Sequence, residues 1–172
     1  MANLGVLKYG SDVLRTVAQP VEEITDEIRQ IVNDMLDTMY ASEGVGLAAP
    51  QVGVSKRIVV IDANPTDASS APIIMINPEI VRHEGHIDAE EGCLSVPELR
   101  GEVRRSEKVV VEAIDLDGKK VTIEATDPLA RIIQHEIDHL NGMLFIDHLS
   151  RLKRQLMKKQ LRKIEESSKD LN

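Results

Sequence analysis

Asp127-Pro-Leu-Ala-Arg-Ile-Ile-Gln-His-Glu-Ile-Asp-His-Leu-Asn-Gly142 is the stretch whose reading decides the fold. Apolar residues at Leu129, Ile132, Ile133, Ile137 and Leu140 recur at helical spacing, so one helix face is buried. Asp127 is expected to cap that helix, Pro128 to take its first position and Gly142 to end it. His135 and His139 are four residues apart, which puts two imidazoles on one face with Glu136 beside them. That arrangement suits two metal ligands and a carboxylate able to move protons. The alternative is a charged, solvent-facing turn with incidental histidines. Arg131, a charge among apolar positions, is expected to point outward.

The preceding sequence supplies a sheet for the helix to pack on. Short β-branched runs occur at Arg57-Ile-Val-Val-Ile-Asp62, Ile73-Ile-Met-Ile-Asn77 and Glu79-Ile-Val-Arg82, and the polar interval 63–72 reads as a loop. Lys108-Val-Val-Val-Glu-Ala-Ile-Asp115, a turn at Asp117-Gly118 and Val121-Thr-Ile-Glu124 predict a hairpin. Upstream, Thr25 caps a helix whose apolar face is Ile28, Ile31, Val32, Met35, Leu36 and Met39, with Gly44 beyond its end. Gly44-Val-Gly-Leu-Ala-Ala-Pro-Gln51 is too rich in small residues for regular structure and reads as a shaped loop or bulged strand. A last helix is expected from about Asp147 to Glu166, with a frayed end after Ser167. The class is therefore α+β: antiparallel sheets around a central helix, with further helices near each end of the chain.

Length and composition agree. A chain of 172 residues makes one domain, here 1–172 with a core of about 1–150 and a tail of 151–172, and 42% apolar with 29% charged residues is a globular composition. No apolar run approaches the roughly 20 residues of a membrane span, and the N-terminus does not read as a secretory signal. A single cysteine, Cys93, forms no internal disulfide, so a reducing cytoplasm is the expected compartment. Residues 1–150 carry 13 Lys and Arg against 26 Asp and Glu, whereas 151–172 carry 8 against 3. An acidic body with only Tyr9, Tyr40 and Phe145 as aromatics offers nucleic acid neither charge nor a stacking platform. Any such contact belongs to the tail.

Two histidines need a third ligand to hold a catalytic metal. The extended peptidase pattern requires a histidine at 145, which is Phe145; His148 has the wrong spacing, and Glu165 and Glu166 sit in the basic tail. Cys93, in Glu91-Gly-Cys-Leu-Ser95, is either a small buried hydrophobe or a thiolate ligand suited to zinc or iron(II). Ser95 lacks the glycine elbow of a serine nucleophile.

Gly44-Val-Gly-Leu-Ala-Ala-Pro-Gln51, Glu91-Gly-Cys-Leu-Ser95 and His135-Glu-Ile-Asp-His139 together resemble the three signature motifs of peptide deformylases, in order and at about their spacing. The resemblance implies a metal held by Cys93, His135 and His139, iron(II) in the cell and replaceable by zinc, nickel or cobalt. It implies Glu136 as general acid and base, with the Gln51 amide and the Leu94 backbone N–H stabilising an oxyanion. The substrate would be the formyl-methionine end of a nascent peptide, extended beside Val45 and Gly46. Its side chain would enter a pocket lined by Val45, Ile132 and the His135 ring, and Arg100 would contact its backbone. The products would be formate and a free N-terminal methionine.

By the same resemblance, the basic stretch 151–163 would dock the enzyme near the ribosomal exit tunnel, and the protein would be a cytoplasmic monomer. Two rivals keep their own expectations. A metallopeptidase needs a third ligand after the histidines, and a non-enzymatic ribosome-associated module needs a purely structural metal.

Overall fold

In the computed structural model, residues 3–64, 66, 67, 69 and 71–170 are described, with backbone alone at 169 and 170. Helix α1 (Asp26–Ala41) begins where the Thr25 side chain accepts a hydrogen bond from the Ile28 N–H. Seven strands lie among the described residues: β1 (Gly46–Ala48), β2 (Ile58–Ile61), β3 (Ile73–Glu84), β4 (Ile87–Cys93), β5 (Val96–Arg105), β6 (Lys108–Ile114) and β7 (Lys120–Thr126). Helices α2 (Leu129–Leu140) and α3 (Arg151–Asp170) follow the strands. One antiparallel sheet runs β1-β2-β3-β6-β7, and β4 with β5 forms a separate two-stranded sheet. The α+β expectation is met.

All four residues of β2 are buried because the larger sheet is covered on both faces. Alternation sends Ile58 and Val60 to the α1 side, with Val32, Met35 and Met39, while Val59 and Ile61 meet Ile133, Ile137 and Leu140 of α2. A third cluster joins Val96 and Val103 of β5 to Phe145, Leu149, Met157 and Leu161, fastening the smaller sheet to the C-terminal segment. Helix α2 thus lies inside the molecule between two sheets.

Several boundaries differ from the sequence reading. The runs at 73–77 and 79–82 are one strand, β3, interrupted by a register shift at Asn77, whose φ is 52°. The Asn77 side chain bonds both the N–H and the carbonyl of Val21, which stabilises that uncommon conformation. Asp127 does not cap α2: Pro128 holds the cap position after a cis peptide, and Asp127 lies 3.7 Å from Arg131 Nε instead. The last helix is two pieces, a short 3-10 turn at Phe145–His148 and then α3, which continues to Asp170 rather than fraying after Ser167. Described residues of 63–72 form no helix or strand; positions 65, 68 and 70 in that interval, and Leu171 and Asn172, lie outside the described residues. No described helix is long and apolar enough to cross a membrane.

Candidate active site

Segments far apart in sequence converge on one cleft of about 700 Å³. Helix α2 contributes His135 and Glu136, the end of β4 contributes Cys93 and Leu94, and the β1 region contributes Val45, Gly46 and Gln51. Arg100 and Ile132 line the same cleft. His139, on the next turn of α2, does not line it and is only 1% exposed.

The donor atoms of Cys93, His135 and His139 lie within 4.8 Å of one another, with Cys93 Sγ 3.5 Å from His139 Nε2. One thiolate and two imidazoles form a set that suits a borderline-soft divalent ion such as zinc or iron(II). Glu91 Oε1 sits 2.9 Å from His135 Nδ1, so that nitrogen serves as the donor and Nε2 is left for a ligand role. The rings of His135 and His139 meet edge to face at 5.1 Å, and Phe145 stacks on His135 from behind.

These placements bring Cys93, rather than a later residue, to the two histidines. His148 is engaged elsewhere, 2.8 Å from Asp138 Oδ2 and 3.4 Å from Arg105 Nη1. A register shift between Gly92 and Cys93 turns the thiol out of the regular β4–β5 pairing and toward α2.

Electrostatics tie the cluster together. Burial would raise the Cys93 thiol, but the charge on His139 and hydrogen bonds from both histidines hold it well below its ordinary value. Burial works against a charged His135 as well, yet its bonds to Cys93 and Glu91 raise it well above the usual imidazole range. Burial dominates at Glu136 and pushes its carboxyl up, with the two histidines opposing. Among the described residues its Oε1 is buried without a hydrogen-bond partner.

Gln51 is oriented from both ends. Its Oε1 accepts the Ala48 N–H at 3.0 Å, so its amide nitrogen points to Ser95 Oγ at 3.1 Å and to Cys93 Sγ at 3.6 Å. Val45 is 40% exposed at the mouth, and Arg100 is held by Glu90 at 3.0 Å on the rim. At Gly46 a Cβ would come within 2.6 Å of Glu136 Oε2, so only glycine lets β1 pass this close to the carboxylate.

Arg131 corrects the sequence reading. It points inward, 8% exposed, with Nη1 donating to Glu91 Oε2 at 2.6 Å and to the Val103 carbonyl at 2.8 Å, and Nη2 to the Ile87 carbonyl at 2.6 Å. Arg105 clamps the same carboxylate through two bonds and reaches Asp138. Burial would raise the Glu91 carboxyl, but the bonds from His135 and Arg105 and the Arg105 charge hold it far below its ordinary value. Sequence reasoning assigned Glu91 no task. It stands only two residues before Cys93, and a ligating histidine needs such a partner.

A model of a family described as polypeptide deformylase matches residues 4–155. The peptide deformylase of Thermodesulfovibrio yellowstonii is 47% identical over 162 residues, 94% of this chain and 98% of that protein. The crystal structure of a peptide deformylase from Legionella pneumophila superposes with a TM-score of 0.90 at 47% identity, covering 96% of each chain. That of the Synechococcus elongatus enzyme in complex with actinonin gives 0.89 at 43% identity, covering 93% of this chain and 89% of that one.

Proposed function

The chain belongs to the peptide deformylase family, and from that premise we propose how its residues remove the formyl group from nascent polypeptides. One observation carries the reading: a buried carboxylate, Glu136, stands beside the Cys93, His135 and His139 cluster in a cleft bordered by an outer strand, β1.

Cys93, His135 and His139 would hold one divalent metal, iron(II) in the cell with zinc, nickel or cobalt as substitutes. The metal, when bound, supplies Lewis acidity and a water acidified toward neutrality. Glu91 keeps His135 in the tautomer that presents Nε2. The formyl C–N bond breaks as Glu136 takes a proton from the attacking water and delivers it to the leaving amine; formate is the other product. A carboxyl raised by burial is suited to both halves of that transfer.

The Gln51 amide and the Leu94 N–H are the oxyanion donors of this reading, each worth about 3–4 kcal/mol in comparable sites. The fixing of Gln51 through Ala48 supports its part, because a donor already oriented costs no reorganisation. The formyl-methionyl peptide would lie extended beside Val45 and Gly46, adding to the outer side of β1. Its first side chain would sit against Val45 and Ile132, with Arg100 on its backbone.

The C-terminal helix supports the partner reading. Arg151, Arg154, Lys158 and Arg162 border one groove of α3, while Met157 and Leu161 pack on the core. A cationic face on an acidic body suits polyphosphate such as ribosomal RNA near the exit tunnel. The protein would act there as a cytoplasmic monomer.

The test is formate release from a formyl-methionyl peptide by metal-analysed protein, beside Glu136→Gln. Turnover that falls by about 10²-fold or more in the variant, with metal content kept, is expected. Equal turnover in the two would remove Glu136 from the mechanism. No turnover in the metal-loaded wild type would overturn the reading.

A further inference from the structure

Lys8 is a cation on the wall of the cleft that the mechanism above does not use. Its Nζ donates to the Leu94 carbonyl at 2.9 Å, across 86 positions of sequence. That carbonyl belongs to the Leu94–Ser95 peptide, whose N–H is the Ser95 N–H, and this donates to Cys93 Sγ at 3.4 Å. One peptide plane therefore links the ammonium to the sulfur.

The lysine is held from both sides. Leu7 N–H donates to the Gln51 carbonyl at 2.7 Å, and Tyr9 N–H donates to the Ser95 carbonyl at 2.8 Å. The residues flanking Lys8 are thus bonded to the two segments that carry Gln51 and Cys93. From behind, Ser168 Oγ of α3 donates to the Lys8 carbonyl at 3.4 Å. Gly10 lies so close to α3 that a Cβ there would stand 2.9 Å from the Glu165 Cα, so the segment has little room to shift.

A positive charge on a peptide carbonyl polarises that amide and strengthens its N–H as a donor. A stronger N–H···S bond draws electron density from the thiolate, which then gives less of it to a bound metal. The metal keeps more of its Lewis acidity. Burial lowers the Lys8 ammonium below its ordinary pKa, and the charge on Cys93 counters that loss.

We infer that Lys8 is a positioning residue of the deformylase reaction, acting through the Leu94–Ser95 peptide to tune the Cys93 sulfur and to fix the Leu94 backbone. The inference rests on the proposal that Cys93 ligates the metal. Outer-sphere partners of this kind typically change activity by about ten- to a hundredfold.

The experiment uses the full chain loaded with cobalt(II), comparing wild type, Lys8→Met and Lys8→Arg. Thiolate-to-cobalt charge transfer is read by absorption, and kcat and KM are read on a formyl-methionyl peptide. In Lys8→Met the sulfur is richer in electrons, so its charge-transfer band moves to longer wavelength, and kcat falls about tenfold with KM little changed. Lys8→Arg, which can still donate to the carbonyl, restores both. An unmoved band in Lys8→Met overturns the inference even if kcat falls, because loss of packing alone would leave the sulfur unchanged. A wild-type protein that binds cobalt without any thiolate band overturns the ligand assignment itself, and the Lys8 inference with it.

Discussion

A methyl group on Gly46 would lie 2.6 Å from Glu136 Oε2 and 3.0 Å from its Cγ and Cδ. The outer strand and the carboxylate are therefore fitted to each other. Gly46→Ala should displace Glu136 rather than unfold the sheet, because the obstructing atoms belong to a side chain. We expect kcat to fall about a hundredfold with metal content unchanged. In a Glu136→Gln background the same change should cost little further activity, since the displaced group is already disabled. Full additivity in that double-mutant cycle would show that Gly46 acts by another route.

Glu91 lies between the guanidiniums of Arg105 and Arg131 and also meets His135, so Glu91→Gln should do two things. It leaves the buried guanidiniums of Arg105 and Arg131 short of a counter-charge, a loss of about 3–5 kcal/mol in chemical denaturation. It also weakens the hold on His135, lowering metal affinity by about ten- to a hundredfold after dialysis against a competing chelator. Retention of both properties would mean that Glu91 serves neither.

Stripping the metal should expose Cys93. A ligand bound only by the folded state stabilises it by about 2.7 kcal/mol at a hundredfold excess over Kd, so chelation should lower Tm. Iodoacetamide should then label Cys93 stoichiometrically by mass spectrometry, whereas the loaded protein resists. Equal labelling rates with and without metal would count against a Cys93–metal bond.

Asp147 closes the turn before α3 onto the N-terminal segment. Its carboxylate accepts from Arg15 at 2.6 and 3.2 Å and from the Leu144 N–H at 3.0 Å. Burial would raise its pKa, but the bonds from Arg15 and Leu144 outweigh that and hold it below the ordinary 3.8. A carboxyl lowered on folding stabilises the protein above the unfolded value, and that contribution is lost as pH falls through the folded one. Asp147→Asn should therefore cost about 1 kcal/mol at pH 7, modest because Arg15 is part-exposed, and the gap should close below pH 3.8. A gap that widens in acid would reverse the sign of the argument.

Gly142 follows α2 with φ of 75°, and a Cβ there would come 2.7 Å from the Arg15 carbonyl oxygen. The obstruction is backbone and cannot swing away. Gly142→Ala should cost about 1–3 kcal/mol in denaturation with kcat on the surviving folded protein unchanged. A neutral effect would mean that the backbone at Arg15 moves freely.

Much of the site is legible in the order of residues alone. His135, Glu136 and His139 follow from helical spacing, whereas Gly46 and Gln51 were singled out only by the resemblance of their motif to that of peptide deformylases. Arg131 could not be read correctly, because a helical periodicity assigns a charge to solvent unless a distant counter-charge is known. Glu91 supplies that counter-charge from 40 residues away. The capping expectation at Asp127 failed for a local reason, since Pro128 itself takes the cap position and Asp127 faces Arg131. The two runs read on either side of Pro78 are a single strand because Asn77 adopts a left-handed φ held by Val21, a contact 56 positions away.

Local geometry, then, was settled by the chain's own order of residues: a backbone with a fixed helical or strand period puts neighbours on one face or alternates them, whatever else is present. That was enough for the α+β class, the histidine pair and its carboxylate. No periodicity joins these groups; packing does, with Cys93 meeting His139 across 46 positions, as the resemblance had implied, and Glu91 neutralised between two buried arginines, which nothing in the sequence had indicated. It also aimed Lys8 at the peptide that touches the sulfur. Burying a charge is tolerable only beside a partner, and partners far apart in sequence are chosen by packing, which no periodicity records.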